Sequence, residues 1–386
     1  METTENWNNS DANITNENAS EYIYYYSNRH SDYVEYDIAA AINRYYLYVI
    51  CGIGIPGNVA CFVTSSNMKP FRSSDLYMAA LAVADLTSLL IKFSYVRITA
   101  TNSRLGDVGC QWFYALGSTS VMYANWIVVA LTLERFIAVT LPLKVKQLCQ
   151  KRSSICVLAV LFIVVFLANI QFLFTFEEMS DVFLTWTCAS KQDFRTFHTF
   201  TWYWIDGALY AFLPTLFILV FNGLIIFKIR KSTLEKRHLS AEQRHSTETS
   251  NYQRQITVML LSVSVAFVVL TLPNCTFFIV KAYWSWMESA HGVAKYYLVM
   301  QIVFVLSDLS HALNFYLYCI SGRKFRQKFL KLVQKCFHRN RTSNRISFKR
   351  DVSKIRDISG LNDVTGRTRT SSVQVSPEST PVKGRL

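Results

Sequence analysis

Ile155-Cys156-Val157-Leu158-Ala159-Val160-Leu161-Phe162-Ile163-Val164-Val165-Phe166-Leu167-Ala168-Asn169-Ile170-Gln171-Phe172-Leu173-Phe174 is a run of twenty residues without one charged side chain. Wound as an α-helix it spans about 30 Å, the thickness of a bilayer's hydrocarbon core. Comparable windows recur, and helices are predicted near residues 40–66, 74–98, 107–140, 152–175, 198–230, 252–281 and 294–320. A length of 386 residues alone suggests two or three soluble domains. The recurrence of long apolar runs in a chain that is 51% hydrophobic overrides that expectation. The fold class is an all-α membrane protein, a seven-transmembrane-helix bundle. An odd number of spans places the termini on opposite sides.

Lys and Arg orient the chain. Residues 1–39 carry Arg29 as their one basic residue against eight acidic ones, whereas from 322 onward there are seventeen Lys or Arg and four Asp or Glu. The loops after the third and fifth spans are basic too, with Lys144, Lys146, Lys151 and Arg152 in the first and Lys228, Arg230, Lys231, Lys236 and Arg237 in the second. The amino terminus is expected outside and the carboxyl terminus in the cytoplasm, as in a multi-pass plasma-membrane protein. Most of the net charge of +14 then faces anionic lipid and not nucleic acid. Residues 1–39 read as an extracellular, glycosylated, disordered arm, 40–321 as the bundle, 322–337 as an amphipathic membrane-surface helix and 338–386 as a disordered regulatory tail. No signal-peptide core precedes the first span, which is expected to act as its own insertion signal.

Modification signals follow this topology. Asn8, Asn13 and Asn18 begin three sequons in the outer arm. Tyr33 and Tyr36 lie among Asp32, Glu35 and Asp37, as in substrates of tyrosine sulfation, and a sulfated arm would attract basic ligands. Of nine Cys, only Cys110 and Cys188 fall on the oxidising face outside the bilayer, so a disulfide between them is expected to pin the loop before the fifth span. Cys336 ends a stretch of alternating basic and apolar residues and is the palmitoylation candidate.

Ionisable side chains inside spans cost at least ~2.5 kcal/mol each on insertion scales and need a reason. Asp85 and Lys92 share one face of the second span; Asp308, His311 and Asn314 recur every third residue in the last. Two readings stand: interior polar residues that satisfy one another, or a polar core that couples helix movement to ligand binding. An ion pair between Lys92 and Asp308 is expected at the floor of an outer pocket.

These residues, taken with Gly57-Asn58-Val59, Leu81-Ala82-Val83-Ala84-Asp85, Cys110, Glu134-Arg135-Phe136, Pro142, Pro214, Pro273, Asn314-Phe315-Tyr316-Leu317-Tyr318 and Phe325, resemble a rhodopsin-like (class A) G-protein-coupled receptor. The fourth span lacks the family's Trp, and Phe315 stands in the proline position of the last motif. The resemblance implies that Arg135 is held by Glu134 at rest and released toward a heterotrimeric G protein. Asn58, Asp85 and Asn314 would form the polar core, where the family often binds sodium. Ala124 replaces a hydroxyl residue beside that site, leaving Ser310 as a further contributor. Tyr318 would swing inward, with Asn222 in place of its usual Tyr partner. Thr271 replaces the Trp before Pro273, so Phe267 is the relay candidate. Arrestin and receptor kinases are implied partners at a tail rich in Ser and Thr, including Thr365, Thr368, Ser371, Ser372 and Ser376.

The resemblance also bears on the ligand. Gly117 occupies the position of the amine-binding Asp of amine receptors, and no Lys lies between 296 and 320 to bind retinal. Lys92, Arg97, Trp112, Tyr114, Asp206, Asn274, Phe278, Lys281 and Asp308 are the expected pocket residues, and a mixture of charges and aromatics suits a peptide. The chain looks most like the peptide branch, near invertebrate FMRFamide or myosuppressin-type neuropeptide receptors. The alternatives are a lipid or small-metabolite ligand, or an orphan with high constitutive activity. No enzymatic constellation and no cofactor motif is found.

Overall fold

The computed structural model describes residues 30–141, 144–180, 186–237, 247–283 and 289–336. Asn8, Asn13, Asn18, Pro142 and the tail from 338, for which the sequence carries expectations, lie outside them. The chain divides into two compact units, Met1–Phe329 and Leu330–Leu386. The described part of the second, 330–336, is helical.

Seven helices of the first unit are long and apolar enough to cross a membrane. They are α1 (Val34–Ser66), α2 (Ser73–Ala100), α3 (Gly106–Thr140), α4 (Lys151–Asn169), α5 (from Phe197), α6 (Thr247–Tyr283) and α7 (Ala290–Ala312). A short α8 (Asn314–Ser321) follows, and residues 323–329 are helical again as α9. Helix α3 lies at the centre, packed on α2, α4 and α5. Val160, Ile163, Val164 and Leu167 of α4 point outward, as lipid-facing side chains do when only one stripe of a span meets the bundle.

Helix α1 starts six residues before the expected boundary, so residues 34–39, read as part of the arm, are helix. The cause lies far away in sequence. Tyr33 stacks on His291 at 4.6 Å between ring centroids, and His291 Nε2 meets Glu35 Oε1 at 2.8 Å. Helix α5 is built from four consecutive pieces, Phe197–Trp202, Tyr203–Gly207, Ala208–Phe212 and Leu213–Arg237, the first and third wound as π-helix. Pro214 follows the second π segment, and its missing N–H removes the donor that would serve Tyr210 O in α winding or Leu209 O in π winding. Helix α3 supplies both, since Asn125 Nδ2 donates to Tyr210 O at 2.8 Å and Trp126 Nε1 donates to Leu209 O at 3.0 Å.

The seventh span, expected as one helix over 294–320, breaks at Leu313 although Phe315 occupies the proline position. Asn58 Nδ2 donates to His311 O at 3.0 Å and takes the acceptor that the Phe315 N–H would use in an unbroken helix. Gly57 permits this approach of α1, because a Cβ there would lie 3.1 Å from the Tyr316 ring.

Between α4 and α5 the chain forms a hairpin, β1 (Phe176–Ser180) antiparallel to β2 (Trp186–Ser190), with Glu178 opposite Cys188. Cys188 is bonded to Cys110 at the start of α3. Glu178 accepts from Leu105 N at 2.6 Å and Arg104 Nε at 3.2 Å, while its own N–H donates to Asp107 at 2.9 Å. The hairpin is thus clamped to the α2–α3 turn by charge as well as by sulfur. Burial alone would raise the Glu178 pKa, but the backbone N–H groups of Leu105 and Gly106 and the Arg104 guanidinium outweigh it and hold the carboxyl below its ordinary value. A depressed pKa stabilises the fold above the unfolded value of about 4.3 and loses that contribution as pH falls through the folded value. The unfolding midpoint of the purified protein is therefore expected to exceed that of Glu178→Gln at neutral pH, with the gap closing under acid. A gap that does not change with pH would contradict this account.

Candidate functional site

Three polar clusters line the bundle from the hairpin side to the opposite end. In the outer cluster, Lys92 of α2 and Asp308 of α7 form an ion pair at 2.5 Å, their side chains 36% and 12% exposed. The Lys92 ammonium also stands 5.8 Å from the Tyr46 ring centroid and 5.6 Å from that of Phe304, contacts that favour a cation. Ser307, next to Asp308, shares a hydrogen bond with Tyr210 of α5 at 2.5 Å. Asp206 lies one turn before Tyr210 and makes no hydrogen bond or ion pair with a described residue. Across from it, Tyr203 donates to Phe278 O at 2.5 Å, and the Lys281 ammonium lies over the rings of Tyr203 (5.8 Å) and Tyr296 (5.9 Å). Asn274, one turn below Phe278, is buried with Oδ1 unpaired among the described residues.

Not every residue expected in this pocket reaches it. Arg97 is exposed and donates to Tyr48 OH of α1 at 2.8 Å. Trp112 is 44% exposed. Tyr114 belongs to an aromatic cluster beneath the hairpin, with its ring 4.2 Å from Phe176 and 5.9 Å from Tyr95. A Cβ on Gly117 would touch Ile91, so that position faces α2. Helical spacing says which residues share a face but not which face turns inward. Tyr46, Tyr203, Tyr210 and Ser307 were missed; only Tyr210 carried a signal, four residues after the intramembrane Asp206. Tyr33 and Tyr36 open α1, packed on His291 and Tyr297.

In the middle cluster Asp85 is fully buried and accepts from His311 Nδ1 at 2.8 Å and Asn314 Nδ2 at 2.7 Å, one donor to each oxygen. Asn58 enters through the His311 carbonyl. Ser310, expected beside Asp85, instead donates to Ser307 O at 2.7 Å. The three-residue spacing of Asp308, His311 and Asn314 predicts a shared polar core but does not single out His311 as the partner of Asp85. The donor set does not suit the sodium ion expected at Asp85: both carboxylate oxygens are engaged, and Ala124 contributes only a buried methyl group.

In the inner cluster Glu134 accepts from Arg135 Nη2 and from Ser74 Oγ, each at 2.8 Å, with Glu134 and Arg135 7% and 5% exposed. Arg135 Nε has no partner among the described residues. A cavity of about 570 Å³ opens here, lined by Phe71, Arg72, Glu134, Arg135, Cys149 and Lys151 among others. Asn222 and Ser264 bond each other reciprocally at 3.0 and 3.1 Å. Thr271, two residues before Pro273, donates to Phe267 O at 2.7 Å. Tyr318 is fully buried against Phe325, its hydroxyl unpaired among the described residues.

Residues 57–318 match the family model described as 7 transmembrane receptor (rhodopsin family). Among curated proteins, the thyrotropin-releasing hormone receptor of Gallus gallus is 25% identical, over 74% of this chain and 76% of its own. A galanin-like G-protein-coupled receptor of Caenorhabditis elegans is 23% identical over 74% and 72%. The growth hormone secretagogue receptor type 1 of Mus musculus is 28% identical over 73% and 78%.

The Lys92–Asp308 pair lies between the exposed and buried limits, so losing one partner is expected to cost about 1–3 kcal/mol. Lys92→Met and Asp308→Asn should each lower the unfolding midpoint of the purified protein. Their double variant should be less impaired than the sum of the two, because it leaves no unpaired charge. Additive losses would show that the two side chains do not act as a pair.

Proposed function

The chain belongs to the rhodopsin family of seven-transmembrane receptors, and on that premise we propose that it is a plasma-membrane receptor that transmits the binding of an extracellular peptide to a heterotrimeric G protein. The observation that carries the ligand class is the outer cluster. A carboxylate without a described partner (Asp206), an ammonium lying over aromatic rings (Lys281) and an ion pair open to exchange (Lys92–Asp308) surround a wall of tyrosines and phenylalanines. An apolar lipid would leave those charges uncompensated, and an amine would use only the anionic half. A peptide with charged and aromatic side chains and a polar backbone uses both. The relatives point the same way: the three above are a hormone receptor, a galanin-like receptor and a secretagogue receptor.

The mechanism follows from differential binding. An agonist shifts the bundle only as far as it binds one conformation better than the other, and the coupling is reciprocal. A ligand carboxylate reaching Lys92, or a ligand cation reaching Asp308, exchanges the partner of the α2–α7 pair. Proline-bent α6, with Phe267 and Thr271 above the Asn222–Ser264 bond, carries the change inward. At the far end Arg135 leaves Glu134; its fork of donors suits the carbonyl groups of a docking helix. Tyr318, whose hydroxyl has no described partner in this state, turns toward the space so opened.

The remaining roles extend the same reading. The amino terminus faces outward, with sulfation at Tyr33 or Tyr36 and glycans on Asn8, Asn13 and Asn18. The basic tail faces the cytoplasm, with a lipid anchor on the exposed Cys336 and phosphorylated Ser and Thr residues taken up by arrestin.

Cells expressing the chain and challenged with a library of amidated neuropeptides are expected to activate a G protein at nanomolar peptide, with amines and lipids inactive. Arg135→Ala should abolish the response at unchanged surface expression. Asp206→Asn should weaken potency about tenfold or more for a basic peptide, the loss of one charge-assisted contact of about 1.4 kcal/mol or more. Activation by a lipid alone would overturn the peptide assignment and leave the receptor assignment standing.

A further inference from the structure

The middle cluster departs from the arrangement its family resemblance implies. A hard monovalent cation is held by oxygen atoms that turn lone pairs toward it, whereas an N–H group turned inward repels it. Around Asp85 the described groups turn N–H donors inward. His311 Nδ1 lies 2.8 Å from Oδ1 and Asn314 Nδ2 lies 2.7 Å from Oδ2, so each oxygen already has a hydrogen directed at it. The hydroxyl hydrogens of Ser310 and Ser120 go to Ser307 O and Gly117 O, and neither Ser bonds Asp85 among the described residues. Ala124, 1% exposed, fills the third-helix position with a methyl group. Asn58 Oδ1 is the one buried acceptor of the cluster without a partner among the described residues, and a single neutral oxygen does not replace a cation's hydration shell.

We propose that the His311 imidazole takes the place that a sodium ion holds beside this carboxylate, so that α2 and α7 are tied by a side chain of the chain itself and the receptor is indifferent to sodium. The geometry explains why His is required. A Ser at 311 is too short to reach Oδ1 from the same backbone position and would leave a polar space beside a buried carboxylate, which is what a cation needs. His311 is therefore a positioning residue, holding Asp85 through Nδ1 while its carbonyl receives Asn58 and marks the break between α7 and α8. The inference does not depend on the ligand being a peptide.

The test needs no agonist. Purified receptor is unfolded thermally in sodium chloride and in equimolar N-methyl-D-glucamine chloride, read by tryptophan fluorescence. The wild type is expected to melt at the same temperature in both. His311→Ser is expected to start lower and to gain a midpoint shift that grows with sodium concentration and disappears in His311→Ser/Asp85→Asn. Should His311→Ser fail to fold, His311→Cys, of similar size, takes its place. A wild-type midpoint raised by sodium and made insensitive by Asp85→Asn would overturn the proposal. So would a folded His311→Ser or His311→Cys that ignores sodium as the wild type does.

Discussion

Inside a hydrocarbon layer no water answers an unpaired polar group, and each one left alone costs several kcal/mol. That constraint organises the bundle. Pro214 withdraws a donor from α5, and Asn125 and Trp126 of α3 supply donors to the carbonyls of Tyr210 and Leu209 beside it. Lys92 enters α2 because Asp308 faces it, and Asp85 because His311 and Asn314 do. Glu134 and Arg135 answer each other, with Ser74 adding a second bond to Glu134. Each of these contacts joins two helices or restrains the end of one, so polar satisfaction and helix packing are the same problem here. The apolar residues fill volume, but against lipid tails they do not choose which helix neighbours which.

The exceptions to satisfaction are informative for the same reason. Tyr318 OH and Arg135 Nε are buried without described partners, as are Asn58 Oδ1 and Asn274 Oδ1 elsewhere in the bundle. Such groups lower the stability of this conformation relative to one in which they are paired. Arg135 lies beside a cavity that leaves room for a partner.

How much of this was legible follows from which forces act locally. Length and hydropathy placed all seven spans, since a run such as 155–174 admits no other reading. Charges within spans marked Lys92, Asp308 and Asp85, because burial without a partner is too costly to occur idly. Facing was not legible: Arg97, Trp112 and Tyr114 have the chemistry of pocket residues but turn to α1, to the surface and to the hairpin. In lipid, an outward Trp and an inward Trp have equally apolar neighbours, so no periodicity separates them. The start of α1 at Val34 depends on His291, and the break at Leu313 on Asn58. Both causes lie more than 250 residues away in sequence, and the proline that would have announced the second is Phe315.

The outer and middle clusters share two helices, and that sharing constrains how a signal passes. Asp85 and Lys92 are seven residues apart on α2; Asp308 and His311 are three apart on α7, and Asn314 opens α8 three residues further on. Two ties therefore join the same pair of helices about two turns apart. Removing a partner from a buried tie costs roughly 3–5 kcal/mol, while carrying a population from 1:99 to 99:1 takes about 5.5 kcal/mol of differential binding in all. A ligand that had to break both ties would consume on them much of the differential binding that the shift requires. The outer pair is partly exposed and the tie at Asp85 is fully buried, so a charge arriving from outside reaches the first at far lower cost than the second. On the proposed reading the outer pair is therefore the one to exchange partners with a ligand while the buried tie holds, and Tyr318, whose hydroxyl has no partner among the described residues, lies beyond it.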